Sequence, residues 1–538
     1  MKPTRILAAT LIAPLLFAQA PTEPNWEALG AQWWSHVQYL ASDELQGRLP
    51  GTPGFESATK YVEGQFKAIG LKPGAGTSYR QPVKLDSLRL DAAKSSVEIE
   101  VNGSRTVMKP GEITLSPRVS PGPPVDAPLV FIGYGLRLPV KHMDDYAGID
   151  LHGKVVVFVN SAPARLQGPL RAYARVATQR WKYLKAAGAI GMITINPPRT
   201  QGGPAPTPPA TTGNGAARQQ FARPTMAIAD PALDGLAGLR LNATATATAA
   251  DTLLAASGHS LDELKPLIDA GKPLPAFDLK ETIHATTAVE KGTPIDTQNV
   301  VGILEGSDAK LKSEYVVISA HLDHLGVGRP VNGDAIYNGA MDNASGVASV
   351  IECAKILAHG PKPKRSFVFI ALTGEEMGEL GSAYFAAKPT VPKSQIVADL
   401  NMDMYLPLFP LRYIEVQGLG ESTLGNDARA IGQLNDVEVQ FEKQPEENRF
   451  IRSDQVNFVA NGIPALAFKF GWVPDSPEMK TFNDWVKTRY HQPSDDLEQP
   501  VDKVAAAQFT SMLAQLATRV ANAPGRPEWY PESSFAHQ

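Results

Sequence analysis

Six residues of this chain have the types and spacing for chemistry: His321, Asp342, Glu375, Glu376, Asp403 and His491. His321 directly follows the apolar run YVVISA at 315–320. Glu375 and Glu376 follow the run at 367–373, and Asp403 ends the one at 396–402. Asp342 opens the helical pattern VASVIECAKIL, and His491 lies in YHQPSDD near the end of the chain. Imidazole nitrogens and carboxylate oxygens are what zinc takes. Two metals roughly 3.5–4 Å apart need a bridging carboxylate and a bridging water. One position would use His321 and Asp403, the other Glu376 and His491, with Asp342 shared. Two dications, three carboxylates and a hydroxide sum to a neutral centre, which limits the cost of burying it. Glu375 is then left beside a ligand as a free carboxylate, the position of a general base that later returns its proton to a leaving amine. Asp323, two residues after His321, can accept the second imidazole N–H and fix the tautomer.

Taken singly, these features have plainer meanings. A Glu-Glu pair suits the first turn of a helix through the macrodipole. An aspartate before NASG suits a helix cap. A lone histidine such as His491 suits a surface or core position. Their joint placement at successive strand ends gives the pattern its weight, because ligands of open α/β sheets gather there. His324 reads as a loop residue and His359 as a helix-end residue.

The elements that must position these residues are legible from periodicity. Residues 27–46 read as a helix, with Trp34, Val37 and Leu40 at helical spacing. Phe55, Ala58, Val62, Phe66 and Ile69 mark a second helix ended by Gly70. From about 115 the runs APLVFIGYG, GKVVVFVN and AIGMITI read as strands, and RAYARVATQRWKYLKAAG as one helix. Residues 197–224 are rich in Pro, Gly, Ala and Thr and read as a mobile loop. From about 295 strands and helices alternate to the closing helix DKVAAAQFTSMLAQLATRVAN. Alternation with continuous apolar strands predicts an α/β fold with a mixed, largely parallel sheet sandwiched by helices.

The 538 residues exceed one ordinary core and predict a second domain or a large insertion. A net charge of −4 with interspersed signs offers no basic face for nucleic acid or an anionic membrane. Lys2 and Arg5, the apolar stretch Ile6–Phe17 and Ala18-Gln19-Ala20 together read as a secretory signal over 1–20, although Pro21 sits awkwardly after the cut. The expected mature chain is secreted or periplasmic, with no membrane anchor. The single cysteine, Cys353, excludes an internal disulfide framework and reads as a core residue.

The motifs HLDHLG…GAMDNASGVASVIECAKIL, FIALTGEEMGELGS, NMDM and YHQPSDD resemble the co-catalytic di-zinc aminopeptidases, the group of bacterial leucyl aminopeptidases. Glutamate carboxypeptidase and the transferrin receptor are more distant relatives. IRSDQVNFVANGIPALAF is similar to the family's Ser-Asp-x-x-x-Phe…Gly-Ile-Pro segment, which usually has histidine where this chain has Gln455. The resemblance covers about 27–110 and 290–522. It implies His321, Asp342, Glu376, Asp403 and His491 as ligands of two Zn²⁺ ions, Glu375 as base, and a cis peptide after Asp342. The middle segment resembles a β-rich protease-associated domain inserted beside the active site. The expected division is a signal peptide at 1–20, the start of the catalytic domain at 21–114, the insertion at 115–285, the rest of the catalytic domain at 286–525 and a tail at 526–538.

The implied activity is that of a secreted, zinc-dependent exopeptidase acting on peptide substrates, foremost an aminopeptidase. A carboxypeptidase or dipeptidase of the same family would want arginines for a substrate carboxylate, and Arg449 and Arg452 are the candidates. A glutaminyl cyclase fits less well, because those relatives resemble one-zinc enzymes without the His-x-Asp element of His321 and Asp323. A catalytically silent receptor-like protein would have lost ligands that this sequence keeps.

Overall fold

A computed structural model describes residues 24–538 apart from 110, 167, 197–222, 534, 537 and 538. The signal segment expected at 1–20 and most of the loop expected at 197–224 lie outside the described residues. Two large sheets organise the chain. Nine of the eleven strands of the first, in chain order, are β1 (Arg80–Leu90), β2 (Thr225–Ile228), β3 (Ile295–Leu304), β4 (Tyr315–His321), β5 (Ser366–Leu372), β6 (Ile396–Asn401), β7 (Tyr413–Gln417), β8 (Glu438–Gln440) and β9 (Ala465–Phe470), and the short strands Lys72–Pro73 and Val289–Lys291 pair with β3 and β1 respectively. Their spatial order is β2-β1-β3-β5-β4-β6-β9-β7-β8.

The sheet is mixed, and its centre is parallel. β5, β4, β6 and β9 run in one direction, while β3, β1 and β2 pair antiparallel on one flank and β7 pairs antiparallel with β9 on the other. The four parallel strands are apolar runs covered on both faces, as buried parallel strands require. Along β5, Phe367, Phe369 and Ala371 pack into the core on one side, and Val368, Ile370 and Leu372 into the core on the other. The first core is completed by α1 (Trp26–Leu40), α2 (Pro53–Ile69), α3 (Ser345–His359) and α6 (Lys503–Asn522). The second is completed by Phe385 of α4 (Leu380–Ala387) and Phe458 of α5 (Gln455–Val459).

The first two helices follow their sequence cues. Asn25 Oδ1 accepts from Ala28 N to cap α1. Thr52 caps α2, Pro53 opens it, and Gly70 closes it at φ 88°. The remainder of the stretch expected as helix 27–46 is a separate 3-10 turn, Asp43–Arg48. Cys353 is fully buried in α3.

The second sheet has the order 104–107, 96–101, 276–286, 125–132, 155–159, 191–195, 241–245, 113–115. Its membership differs from the expected division at 115. Strands between 96 and 115 belong to this sheet, whereas β2, from the middle of the insertion, is a strand of the first. The reason is packing. Met226 of β2 is buried with Val83, Leu85, Met377 and Leu380, so β2 packs as the edge strand of the first sheet.

The single helix expected from RAYARVATQRWKYLKAAG is two, Gly168–Tyr173 and Ala177–Ala186, separated at an extended Val176. The two pieces bury their apolar residues against different bodies. Tyr173 packs edge-to-face on Phe535 and clusters with Phe450, while Trp181 and Leu184 fill the second unit. Phe535, within the expected C-terminal tail, is fully buried at this seam. Among the described residues no helix is long and apolar enough to cross a membrane.

Candidate metal centre

The parallel register brings distant residues to one sheet edge. His321 pairs level with Leu372, and Ser319 with Asn401, so the residues just beyond β4, β5 and β6 emerge side by side. Asp342 enters from the turn that starts α3, and the Asp342–Asn343 peptide is cis. His491 closes the group from the segment before α6.

Four side-chain distances define the centre. His321 Nε2 lies 3.3 Å from Asp342 Oδ1 and 3.4 Å from Asp403 Oδ1. His491 Nε2 lies 3.3 Å from Asp342 Oδ2 and 3.3 Å from Glu376 Oε2. Asp342 thus offers one oxygen to each group. Ligands bonded at about 2.0–2.1 Å to a tetrahedral ion sit about 3.3–3.4 Å from one another, so this spacing fits zinc on both sides of Asp342. Among the described residues two groups each bring their ligand-competent atoms within 4.8 Å of one another: His321, Asp342 and Asp403, and His324, Asp342 and Glu376.

The electrostatics match that fit. Burial pushes the imidazole of His321 down, but Glu375, Asp342 and Asp403 override it and hold it well above the usual histidine range. His491 is likewise carried up to about 10 by Glu376 and Asp342 against burial. Asp342 lies well below the usual carboxylate range, because both histidines outweigh its burial. Glu376 falls to about 2 through His491 and His324, again against burial. Glu375 behaves oppositely. Burial, together with Glu376, Asp403 and Glu379, pushes its carboxyl well above the ordinary range, and the residue is mostly buried, less completely than Glu376. Burial also lifts Asp323 to about 7 and Asp454 to about 6. Such an excess of buried carboxylate over cationic side chains is the environment that divalent cations neutralise.

Supporting contacts fix the geometry, and several come from residues without a local sequence cue. Met341 N and Asp342 N donate to Asp495 Oδ1 and Oδ2 at 2.9 and 3.0 Å. Asn343 Nδ2 donates to Met402 O at 2.8 Å, tying the Asp342 turn to the Asp403 turn. Lys469 Nζ, buried at the end of β9, donates to the carbonyls of Asp403 and Met404 at 2.8 and 2.9 Å. The fully buried Arg48 donates to the carbonyls of Leu40, Leu322, Asn338 and Gly339, binding α1 to both sides of the His321 loop. Arg48→Ala would strand those four carbonyls. At about 1–3 kcal/mol for an unsatisfied buried group, a loss of at least about 3 kcal/mol in unfolding free energy is expected, read from the urea midpoint.

Asp323 acts differently from expectation. Its backbone carbonyl, not its carboxylate, meets His321 Nδ1 at 3.1 Å. The carboxylate instead accepts from Glu375 N and Glu376 N at 3.2 and 3.3 Å, because the turn after β5 presents two amides with no strand partner. His324, read from sequence as a loop residue, is fully buried in the centre, with Nδ1 2.7 Å from Glu376 Oε1. His359 does end α3. Gln455 is fully buried. It accepts from Asn401 Nδ2 at 2.7 Å and donates to the carbonyls of Arg449 and Phe450. Arg449 Nη2 donates to Gln444 and Arg452 Nη1 to Glu447, while Arg449 Nη1 and Arg452 Nε are buried without a hydrogen-bond partner.

Residues 299–517 match the sequence profile described as Peptidase family M28. A probable zinc metalloprotease of Pyrenophora teres f. teres is 36% identical over 111 residues, 21% of this chain and 23% of that protein. Aminopeptidase YwaD of Bacillus subtilis is 27% identical over 231 residues, 41% of this chain and 44% of that protein. These matches thus span about a quarter to under half of the relatives' own length. Among solved structures, an aminopeptidase from Aneurinibacillus sp. strain AM-1 aligns with a TM-score of 0.47 at 20% identity, covering 92% of this chain and 95% of that one.

Proposed function

Because residues 299–517 match the profile of peptidase family M28, we propose that the chain is a di-zinc aminopeptidase that removes residues from the free amino end of peptides. The observation that carries this reading is the pair of ligand sets sharing Asp342, with Glu375 beside them and in neither. His321, Asp403 and Asp342 would hold one ion, and Glu376, His491 and Asp342 the other. When bound, such ions supply Lewis-acid charge that polarises a carbonyl and acidifies water. Glu375 takes the proton from the attacking water on its carboxylate and delivers it to the nitrogen of the leaving amine. Its position suits that task, since the Asp323 carboxylate holds its backbone amide beside that of Glu376 while its side chain belongs to neither ligand set. Asp323, through the amides of Glu375 and Glu376, keeps base and ligand in register.

Export belongs to the same proposal, supported by the basic, apolar and small-residue order of residues 1–20. So does the reading of the inserted unit as a protease-associated domain that shapes access, supported by β2 packing beside Met377. The test uses aminoacyl reporter substrates and the same peptides blocked at either end. Hydrolysis that needs a free amino terminus, stops with a chelator and returns with zinc is expected. Cleavage that needs a free carboxyl terminus instead, or that survives chelation, contradicts the proposal.

A further inference from the structure

We propose that His324 is a sixth protein ligand of the centre, giving the Glu376–His491 side a second imidazole. The inference rests on the metal-centre reading above. His324 is fully buried, and neither of its ring nitrogens has a hydrogen-bond partner. Its Nδ1 is 2.7 Å from Glu376 Oε1 and 3.9 Å from Asp342 Oδ2, yet the contact with Glu376 lacks the alignment of a hydrogen bond. The ring nitrogen is grouped with oxygens of Glu376 and Asp342 within 4.8 Å without being aimed at either, the arrangement of ligands turned towards a common point, although its contact with Glu376 is closer than the 3.3–3.4 Å of the other four. His36 is the contrast within the same chain. It is also buried, and it meets Tyr61 Oη at 2.7 Å and Glu352 Oε1 at 2.9 Å, one partner for each nitrogen. An imidazole buried without partners is costly unless something else engages it.

The backbone makes room for this ring. Gly339 has φ +64°, and a Cβ there would fall 2.5 Å from His324 Cγ. The ring stands edge-on to that of His491, with centroids 5.9 Å apart and planes 61° apart. The two positions are then unequal. One has His321, Asp403 and a share of Asp342. The other has His324, His491, Glu376 and the second oxygen of Asp342. The fuller side holds its ion more tightly, and the sparser side keeps more room for water and substrate.

The test uses the full chain stripped of metal and titrated with zinc against a chromophoric chelator, and in parallel with cobalt for its visible spectrum. The wild-type chain is expected to bind two ions. His324→Ala is expected to weaken one of them by more than the roughly 100-fold that loss of an outer-shell partner costs, and to change the cobalt bands. His324→Cys keeps a ligand atom at the position, so a thiolate-to-cobalt absorption absent from the wild type is expected. Cys353 is common to both proteins and buried in α3. Folding of each variant is checked by circular dichroism, and the cysteine variant serves if the alanine variant does not fold. Two ions bound with wild-type affinity by His324→Ala, or a cobalt spectrum unchanged in either variant, would overturn the assignment while leaving the two-metal reading intact. A wild-type chain that binds no pair of ions would overturn the reading beneath it.

Discussion

Glu375→Gln is expected to retain both zinc ions and lose about 10²–10⁴-fold in turnover, the range that a positioned general acid–base contributes. The reason lies in where its atoms are. The backbone amide of Glu375 is held by Asp323, as is that of Glu376, yet only the Glu376 side chain joins a ligand set. Glutamine keeps the shape and the amide contact and removes the ability to take a proton. Metal content measured beside steady-state kinetics separates the two effects. A variant that loses zinc would make Glu375 a ligand, and one with near-normal turnover would remove it from proton transfer. The substitution also relieves a carboxylate that burial and its acidic neighbours hold far from its ordinary range, so no loss of stability is expected.

Asp342→Asn is expected to empty both metal positions and abolish hydrolysis. Asp342 is the residue common to both ligand sets, and its two oxygens face opposite ways, Oδ1 to His321 and Oδ2 to His491. Asparagine is nearly isosteric, and its backbone N–H can still reach Asp495, so the turn should persist. The negative charge that both histidines and both ions would share is gone. Competition titration with a chelator measures this, with at least a roughly 100-fold loss expected at each position, the upper end of what an outer-shell change alone costs. Loss of a single ion would mean that Asp342 serves one side and does not bridge.

Much of this centre is legible in the sequence because its residues follow directly from strand ends. His321, Glu375, Glu376 and Asp403 sit just beyond apolar runs, and the parallel pairing of β4, β5 and β6 converts that local fact into a shared edge. His324 is three residues past the same strand, in a loop whose path periodicity does not fix. The available cue was a second imidazole within HLDHLG beside a glycine-rich return. Arg48 and Lys469 had no cue at all, and Asp495 had only its place in YHQPSDD. Each meets backbone carbonyls or amides, which every residue carries, so composition is silent about the contact. Gln455 departs from the resembling pattern and proves to be a buried tie between Asn401 and the turn at 449–450.

The seam between the two sheets was harder for a related reason. Whether 96–115 or β2 joins one sheet or the other depends on partners far along the chain, whereas alternation reports only that a strand exists. The split of the helix around Val176 has the same origin. A continuous helical pattern cannot show that Tyr173 and Trp181 face different bodies.

Anomalous scattering at the zinc edge from crystals of the full chain tests the two-metal centre most directly. Two peaks about 3.5–4 Å apart are expected, one against His321 and Asp403, the other against Glu376 and His491, with Asp342 between them and Glu375 bound to neither. A single peak, a peak ligated by Glu375, or zinc bound elsewhere with these side chains turned apart would contradict it.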